Sequence, residues 1–237
     1  MNTSSSTFAG FKPEALQFLV DLAGNNERSW FQPRKSEYER LLKEPLELLC
    51  EALQERFVAH GLPMRADPKR SPFRIYRDVR FSKDKSPYKT NIGADFPYVD
   101  EEPDPGEPIH SGAGGYFHLS PAESFVGGGM WHPEPARLAA FRAQVAEHPG
   151  RVLKALEDPG FAKRFGKVNG DTLKRVPSGF AADHPHAELL KLKDVVFGRT
   201  LDDKEIFSRT LPDILVEDFA AAMPVYRFLS TLPSRPE

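Results

Sequence analysis

The sequence predicts an α+β fold in which a mainly antiparallel sheet packs with helices from both ends of the chain. Three observations support it. Apolar residues recur at three- and four-residue spacing near the N-terminus, alternating and aromatic-rich segments follow in the middle, and helical spacing returns in the last third. Blocks of helices, strands and helices are typical of an α+β domain, because regular alternation of the two would indicate parallel βαβ units.

Two helices are predicted ahead of the strands. The first covers residues 13–23, with Pro13 in its first turn and Gly24 directly after its last apolar residue. The second covers 33–59 and has the strongest helical pattern in the chain. Pro45 lies inside this pattern and predicts a kink or a break, because proline lacks a backbone donor and its ring crowds the preceding turn.

Five segments are candidates for strands. Residues 73–81 alternate between apolar and polar side chains, and so do parts of 92–99. Residues 115–120 and 124–131 are rich in aromatic side chains, and the short connection between them indicates a turn. A last strand is predicted at 194–200.

Helical patterns return in the last third of the chain. The predicted helices cover residues 135–147, 150–157, 160–165, 184–192, 203–208 and 211–232. Asp202 is the expected N-cap of the fifth of these helices, and Pro224 interrupts the last. Between the strand candidates, six acidic residues and three prolines in 95–107 predict a solvated surface loop.

The composition is that of an ordinary soluble globular protein. With 237 residues, 40% of them hydrophobic and 28% charged, the chain can bury a sizeable core. We expect one domain at 8–232 between short tails at 1–7 and 233–237. Since no N-terminal targeting pattern and no apolar run of about 18 residues occurs, we expect a cytoplasmic protein without a membrane partner. The single cysteine, Cys50, lies in a helical apolar pattern, which predicts a buried side chain and no catalytic thiol.

One segment of this acidic chain is strongly basic. Residues 74–88 read RIYRDVRFSKDKSPY, and we call them the basic motif. The wider window 69–89 holds eight Lys or Arg and two Asp, a charge of +6 in a chain whose net charge is −2, so the other residues carry −8. Such a concentration of positive charge indicates a site for an anion.

Alternation assigns the motif residues to two faces of a strand. Ile75, Val79 and Phe81 are expected to face the core, since alternate residues of a strand share a face. Arg77 falls on the same apolar side. A guanidinium in that position needs a carboxylate or a bound anion as its partner, because burying an unpaired charge costs several kcal/mol.

The opposite face of the predicted strand is polar. Asp78 lies two residues from Arg80 and four from Arg74, so it can hold one arginine through a bidentate pair and leave the other for a ligand. Arginine suits planar phosphate and carboxylate groups better than lysine does. A turn with Lys83 and Lys85 follows, and we expect it to close over the same region.

These features favour a ligand-binding protein with a pocket beside the basic motif, and they leave open whether it is an enzyme. The expected ligand is an anionic small molecule that bears a phosphate or a carboxylate group. Arg74, Arg77, Arg80 and Lys85 are expected to contact it, Asp78 and Asp84 to orient the cations, and Tyr88 and Trp30 to supply a wall or a hydroxyl donor.

Two other interpretations stay open. A nucleic-acid-binding module fits the basic charge, with Tyr76, Phe81 and Tyr88 as stacking rings, although the acidity of the whole chain disfavours it. A non-catalytic scaffold with a structural network of ion pairs fits the same residues, and then the motif stabilises the fold without binding a ligand. The pattern does not predict an oligomeric state.

Other patterns in the chain do not indicate a cofactor or a metal. Gly127, Gly128 and Gly129 lack the spacing of the phosphate-binding loops, and close packing of strands is the favoured interpretation. His118 and His132 lie on or near neighbouring strand candidates, but no metal-binding spacing surrounds them. We therefore predict neither a cofactor nor a metal.

The basic motif resembles a bacterial family of about this length, DUF2461, which also occurs in fungi. Two further segments, NNERSWFQPRKSEYE and GGGMWHPEPARLAAFR, also look like sequences of this family, so the resemblance runs over nearly the whole chain. The resemblance implies the class of protein and brings no activity with it. In the motif it rests on Arg74, Arg77, Asp78, Arg80, Phe81, Asp84, Lys85 and Tyr88.

Overall fold

The strands of this computed structural model form one antiparallel sheet. The structure describes residues 7–99 and 112–233. In that part of the chain the sheet has four strands, and their order in the sheet follows their order in the sequence. With helices before and after the strands, this confirms the predicted α+β class. The strands are β1 (Ile92–Pro97), β2 (Gly114–Leu119), β3 (Phe125–Met130) and β4 (Val195–Thr200).

Helices lie on both sides of the strands in the sequence, and all of them except α2 lie close to where they were predicted. Ahead of the sheet are α1 (Pro13–Gly24), α2 (Arg28–Phe31), α3 (Lys35–Tyr38) and α4 (Glu44–Ala59). Between β3 and β4 are α5 (Pro135–Glu147), α6 (Pro149–Leu156), α7 (Pro159–Phe165) and α8 (Ala187–Lys191). After β4 come α9 (Asp203–Ile206), α10 (Leu211–Ala221) and α11 (Met223–Ser230).

Asp202 and Pro224 mark helix ends, as predicted. The Asp202 carboxylate accepts the N–H of Glu205 at 2.9 Å, and the Glu205 carboxylate accepts the N–H of Asp202 at 3.0 Å, which completes a capping box at the start of α9. Pro224 lies in the first turn of α11, where its missing N–H breaks no helical hydrogen bond. The chain therefore stops one helix and starts the next beside this proline.

Pro45 interrupts the α-helical geometry without ending the helical segment. A 3₁₀ turn, Gln32–Arg34, joins α2 to α3, and a π-helical segment, Glu39–Lys43, joins α3 to α4. Within the latter, the N–H of Glu44 reaches back five residues to the carbonyl of Glu39. This wider turn gives the proline ring room, and Pro45 itself is the second residue of α4. The predicted break is therefore a local change of helix type.

The chain divides into two compact units. The described residues of the first lie within Met1–Phe96, Tyr116–Val126 and Thr200–Glu217. Those of the second lie within Pro97–Gly115, Gly127–Arg199 and Asp218–Glu237. The expectation of one domain over 8–232 stays a prediction.

The first unit buries the apolar faces of α1 and α4. Leu19 and Leu22 of α1, and Leu53 and Phe57 of α4, are completely buried. Each such side chain contributes about 1.5–3 kcal/mol through the surface that it removes from water. Cys50, also on α4, is a buried free cysteine, as predicted, and burial raises the pKa of its thiol.

Aromatic rings and close backbone contacts form the core of the second unit. The rings of Phe161 and Phe197 meet edge to face at 89°, with centroids 4.9 Å apart, and Phe197 lies 5.6 Å from the ring of Tyr226. A Cβ atom on Gly128 would lie 2.3 Å from the Tyr226 hydroxyl oxygen. This glycine therefore serves close packing, as predicted for the glycine run.

Three predictions fall wholly or partly outside the described residues. The tail at 1–7 is described only at Thr7, and the tail at 233–237 only at Pro233. The predicted acidic loop at 95–107 is described only over its first five residues, 95–99, of which 95–97 belong to β1.

Candidate functional site

The basic motif folds as two extended arms joined by a loop at 78–86. Two isolated antiparallel bridges, one between Pro72 and Ala94 and one between Tyr76 and Tyr88, hold the arms together. All of these residues belong to the first unit. The two paired arms form a stem, and the charged loop at 78–86 lies at the end of this stem.

The predicted strand over 73–81 is not formed as a regular strand. The N–H of Arg77 donates to the carbonyl of Pro87 at 3.0 Å, and pairing of the two arms ends there. Ile75 is buried as predicted, whereas Phe81 is 95% exposed, so its predicted core position is wrong. Alternate side chains share a face only while the backbone stays extended and paired, and here the pairing stops before Phe81.

Arg77 has the carboxylate partner that its position requires. Its Nη1 donates to Oδ2 of Asp84, and the arginine side chain is only 27% exposed. Ser86 also holds Asp84, because its N–H and its Oγ donate to Oδ1 at 2.9 and 2.6 Å. The hydrogen bonds from Ser86, followed by the one from Arg77, lower the pKa of the Asp84 carboxyl. An ionised Asp84 thus ties the loop to its arm.

A second ion pair lies on the surface of the loop. Nε and Nη2 of Arg80 donate to the Asp78 carboxylate at 3.0 and 2.7 Å. This pair lowers the pKa of Asp78 and raises that of Arg80. Lys85 donates from Nζ to the carbonyl of Val79 at 2.9 Å. Arg80 and Lys85 are therefore both engaged inside the loop.

Arg74 differs from the other motif arginines. It is exposed and makes no hydrogen bond or ion pair with any residue of 7–99 or 112–233. Its charge acts on Lys89, a half-buried lysine whose Nζ lies 5.2 Å from the ring centroid of Phe73. Partial burial, followed by the charge of Arg74, lowers the pKa of Lys89. Arg74 also lowers the pKa of Asp78, but that carboxylate is bound to Arg80.

Tyr88 and Trp30 both pack against aromatic neighbours. Tyr88 is 1% exposed and stacks on Phe31 with ring centroids 4.1 Å apart, and its hydroxyl has no hydrogen-bond partner among the described residues. The side-chain amide of Asn26 bonds both the N–H and the carbonyl of Tyr88 at 3.0 Å. Trp30 is half-buried, with its ring centroid 5.5 Å from that of Phe18 on α1. The structure thus places Tyr88 in the paired arms of the motif, away from the loop, and Trp30 beside α1.

Sequence reasoning missed the roles of Asn26 and Phe73. Asn26 lies 62 residues before Tyr88, and no local pattern signals a contact over such a separation. Phe73 is 45% exposed and lies under the ammonium group of Lys89. In the sequence, only its position directly before Arg74 indicated that Phe73 lies near the charged residues of the basic motif.

Comparison with known families decides what class of protein this is. A family model described as a conserved hypothetical protein, DUF2461, matches residues 14–228. The chain belongs to the DUF2461 family. The matched range includes the whole basic motif, so the motif is part of the DUF2461 region of the chain. Comparison with curated proteins and with solved structures found no match.

The histidines do not assemble into a metal centre in the part of the chain that the structure describes. There, no group of three or more His, Cys, Asp or Glu side chains is placed to hold a metal ion. His118 instead bonds the hydroxyl of Tyr116 at 2.9 Å and stacks on Phe125. Within the same described residues, no helix is both long and apolar enough to cross a membrane.

Proposed function

We propose that the protein binds an anionic small molecule, bearing a phosphate or a carboxylate group, between Arg74, the first residue of the basic motif, and Lys89, which directly follows the motif. One observation carries the proposal: these neighbouring cations have no ion-pair partner among the described residues. Arg77 and Arg80, in contrast, are bound by carboxylates of the loop. An anion between Arg74 and Lys89 would relieve the repulsion of the two positive charges.

The neighbouring side chains support a ligand with an apolar part. Phe73 and Tyr76 are 45% and 44% exposed, and they flank Arg74 at one and two residues. A guanidinium can bind phosphate or carboxylate through two parallel hydrogen bonds, which fixes the orientation of the ligand as well as its charge. In this proposal Asp78 and Asp84 hold the loop, and Arg77, Arg80 and Lys85 shape it.

A nucleic-acid strand is the second candidate ligand. The observation that favours it is the exposure of Phe81, at 95%, on a loop that also carries Lys83 and Lys85. Exposed rings among cations stack successive bases of a single strand while the cations follow its phosphates. Such binding would weaken steeply with added salt, because each phosphate contact releases counterions.

The two internal ion pairs support the third interpretation, in which the motif is only a scaffold. Arg77 with Asp84 and Arg80 with Asp78 form a network that needs no ligand. Arg74 distinguishes this interpretation from the other two, because it takes part in neither pair. A scaffold would lose nothing but local charge on replacement of Arg74.

Thermal unfolding in a panel of anions tests the proposal. The panel holds phosphate, sulfate, nucleotides, sugar phosphates, dicarboxylates and a short oligonucleotide. A ligand at a hundredfold excess over its Kd adds about 2.7 kcal/mol to the free energy of unfolding. We expect one class of small anion to raise the unfolding temperature of the natural protein and to have no effect on Arg74→Gln.

Arg28→Gln is the matched control, since Arg28 is an exposed arginine of the same unit and its loss changes the net charge equally. A shift that survives in Arg74→Gln, or the same loss in both variants, would refute the site. A shift given by the oligonucleotide alone, and abolished by salt, would establish the second candidate.

A further inference from the structure

A second candidate site lies in the second unit and shares no residue with the basic motif. A cavity of about 450 Å³ opens there, within the range of about 300–1,000 Å³ that is usual for small-molecule sites. Its lining combines one large aromatic ring, two carboxylates and an imidazole. The lining residues are Trp131, His132, Asn169, Gly170, Asp171, Asp194 and Val196.

Backbone hydrogen bonds hold the walls of this cavity in place. His132, just after β3, has a φ of 47°, in the left-handed region, and its N–H donates to Oδ1 of Asp194 at 2.7 Å. Asn169 and Val196 exchange N–H···O bonds of 2.7 and 3.0 Å. Gly170 packs so closely that a Cβ atom would lie 2.4 Å from the carbonyl oxygen of Asp194. The carboxylate of Asp194 is therefore fixed by the structure around it.

Asp194 brings negative charge to the cavity. Its side chain is 8% exposed, and its ion-pair partner among the described residues is Nδ1 of His132, at 3.9 Å, which is a cation only when protonated. Asp171 adds a second carboxylate at the exposed rim, 3.8 Å from Lys193. A nearly buried carboxylate calls for a positive partner, because removing a charge from water is costly. A cation bound in the cavity would be such a partner.

Trp131 supplies the aromatic wall. It is 75% exposed, and its ring meets that of His132 with centroids 4.2 Å apart. An indole left in water beside a carboxylate offers both parts of a cation site, since the face of tryptophan attracts ammonium groups more strongly than that of any other side chain. The absence of a three-ligand cluster among the described residues favours an organic cation over a metal ion.

We infer that this cavity binds a small organic cation, an amine or quaternary ammonium compound, with its positive charge between the Trp131 ring and the Asp194 carboxylate. The apolar substituents of the cation lie on the indole, and Asn169 is placed to bond a polar group of the ligand. The inference is independent of the anion site, because the two share no residue and lie in different units.

Tryptophan fluorescence tests the inference directly. The chain has two tryptophans, so Trp30→Phe leaves Trp131 as the only reporter. We would titrate this variant with choline, tetramethylammonium and putrescine, and with 3,3-dimethyl-1-butanol as the uncharged isostere of choline. At least one cation should give a saturable change of fluorescence, and the alcohol should bind at least about tenfold more weakly than choline if choline is that cation.

Asp194→Asn, made in the Trp30→Phe background, distinguishes the effect of the negative charge on binding from an effect on folding. Asparagine keeps an acceptor for the N–H of His132 and removes only the negative charge. We expect a loss of affinity of about tenfold or more, whereas Asp183→Asn, at an exposed site of the same unit, should leave affinity unchanged. Circular dichroism would verify that both variants fold.

Three results would overturn the inference. These are no saturable response to any of the three cations, equal affinity for choline and its neutral isostere where choline binds, and unchanged affinity for the responding cation in a folded Asp194→Asn variant. Binding of the alcohol in preference to the cations would make the cavity an apolar site instead.

Discussion

The guanidinium of Arg199 donates two parallel hydrogen bonds to the carboxylate of Asp218, from Nε to Oδ1 at 2.7 Å and from Nη2 to Oδ2 at 2.8 Å. The side chain of Asp218 is completely buried, and it also accepts a hydrogen bond from Nε of Arg164. One carboxylate therefore binds two arginines inside the second unit. The arrangement is charge-assisted and bidentate, the strongest kind of side-chain pair.

Replacing Asp218 with alanine should destabilise the protein strongly. Removing one partner of a buried ion pair typically costs about 3–5 kcal/mol, because the remaining charge loses its compensation. We expect the free energy of unfolding, measured by urea denaturation, to fall by about 3 kcal/mol. Asp183→Ala, at an exposed position, should change it by less than about 0.5 kcal/mol. Equal stability of the two variants would show that the pair contributes nothing.

Gly128 and Gly150 should respond in opposite ways to replacement by alanine. A Cβ atom on Gly128 would lie 2.3 Å from the Tyr226 hydroxyl oxygen and 2.4 Å from the carbonyl oxygen of Gly114, which predicts a loss of about 1–3 kcal/mol. Nothing lies within 4 Å of a Cβ atom on Gly150, in α6, so alanine there should stabilise the helix by about 0.5–1 kcal/mol. Urea unfolding of both variants checks this. A neutral Gly128→Ala would mean that β3 can shift.

His118 should make stability depend on pH below neutrality. Burial lowers the pKa of His118, with the charge of Glu123 acting in the opposite direction. The unfolded chain therefore binds the proton more readily, and protonation favours unfolding as the pH falls below the unfolded pKa of about 6.5. The loss is complete once the pH is below the folded pKa.

The comparison that isolates this effect is between the natural protein and His118→Gln. We expect the natural protein to lose more stability than the variant between pH 7.5 and pH 5.5, in urea unfolding at fixed ionic strength. A stability difference that stays constant over this range would argue against a lowered pKa of the half-buried His118.

Arg77 and Arg80 should differ in their effect on stability although both are paired. Arg77 is 27% exposed and joins the loop to its stem, whereas Arg80 is 77% exposed on the loop surface. Exposed ion pairs contribute little, since water screens them. We therefore expect Arg77→Met to lower the urea midpoint clearly and Arg80→Met to leave it nearly unchanged. The reverse order would mean that the loop does not depend on Arg77 and Asp84.

Local patterns were enough to predict most helices and strands. The predicted strands at 115–120 and 124–131 correspond to β2 and β3, and the predicted N-cap at Asp202 carries a capping box. Such features depend on neighbouring residues alone, through helical spacing, alternation and hydrogen bonds within one turn. The pairing of Asp78 with Arg80 belongs to the same class, because the two are only two residues apart.

Contacts between distant residues were not predictable in the same way. Asn26 meets Tyr88 across 62 residues, and Asp194 meets His132 across the same separation. Phe81 shows a different failure, since alternation in the sequence persists after the backbone has left its pairing. The cavity beside Trp131 was missed for the first of these reasons, because its walls come from segments far apart in the chain.

The wide turn at Glu39–Lys43 and the proline that follows it also bear on how this chain can change in length. A π-helical turn holds about one residue more than an α-helical turn, so it is what an α-helix becomes when it gains a residue. Here the wider turn makes room for the ring of Pro45. Chain length and proline are therefore coupled at this point: deleting one residue of 39–43 should destabilise the natural protein more than it destabilises a Pro45→Ala variant.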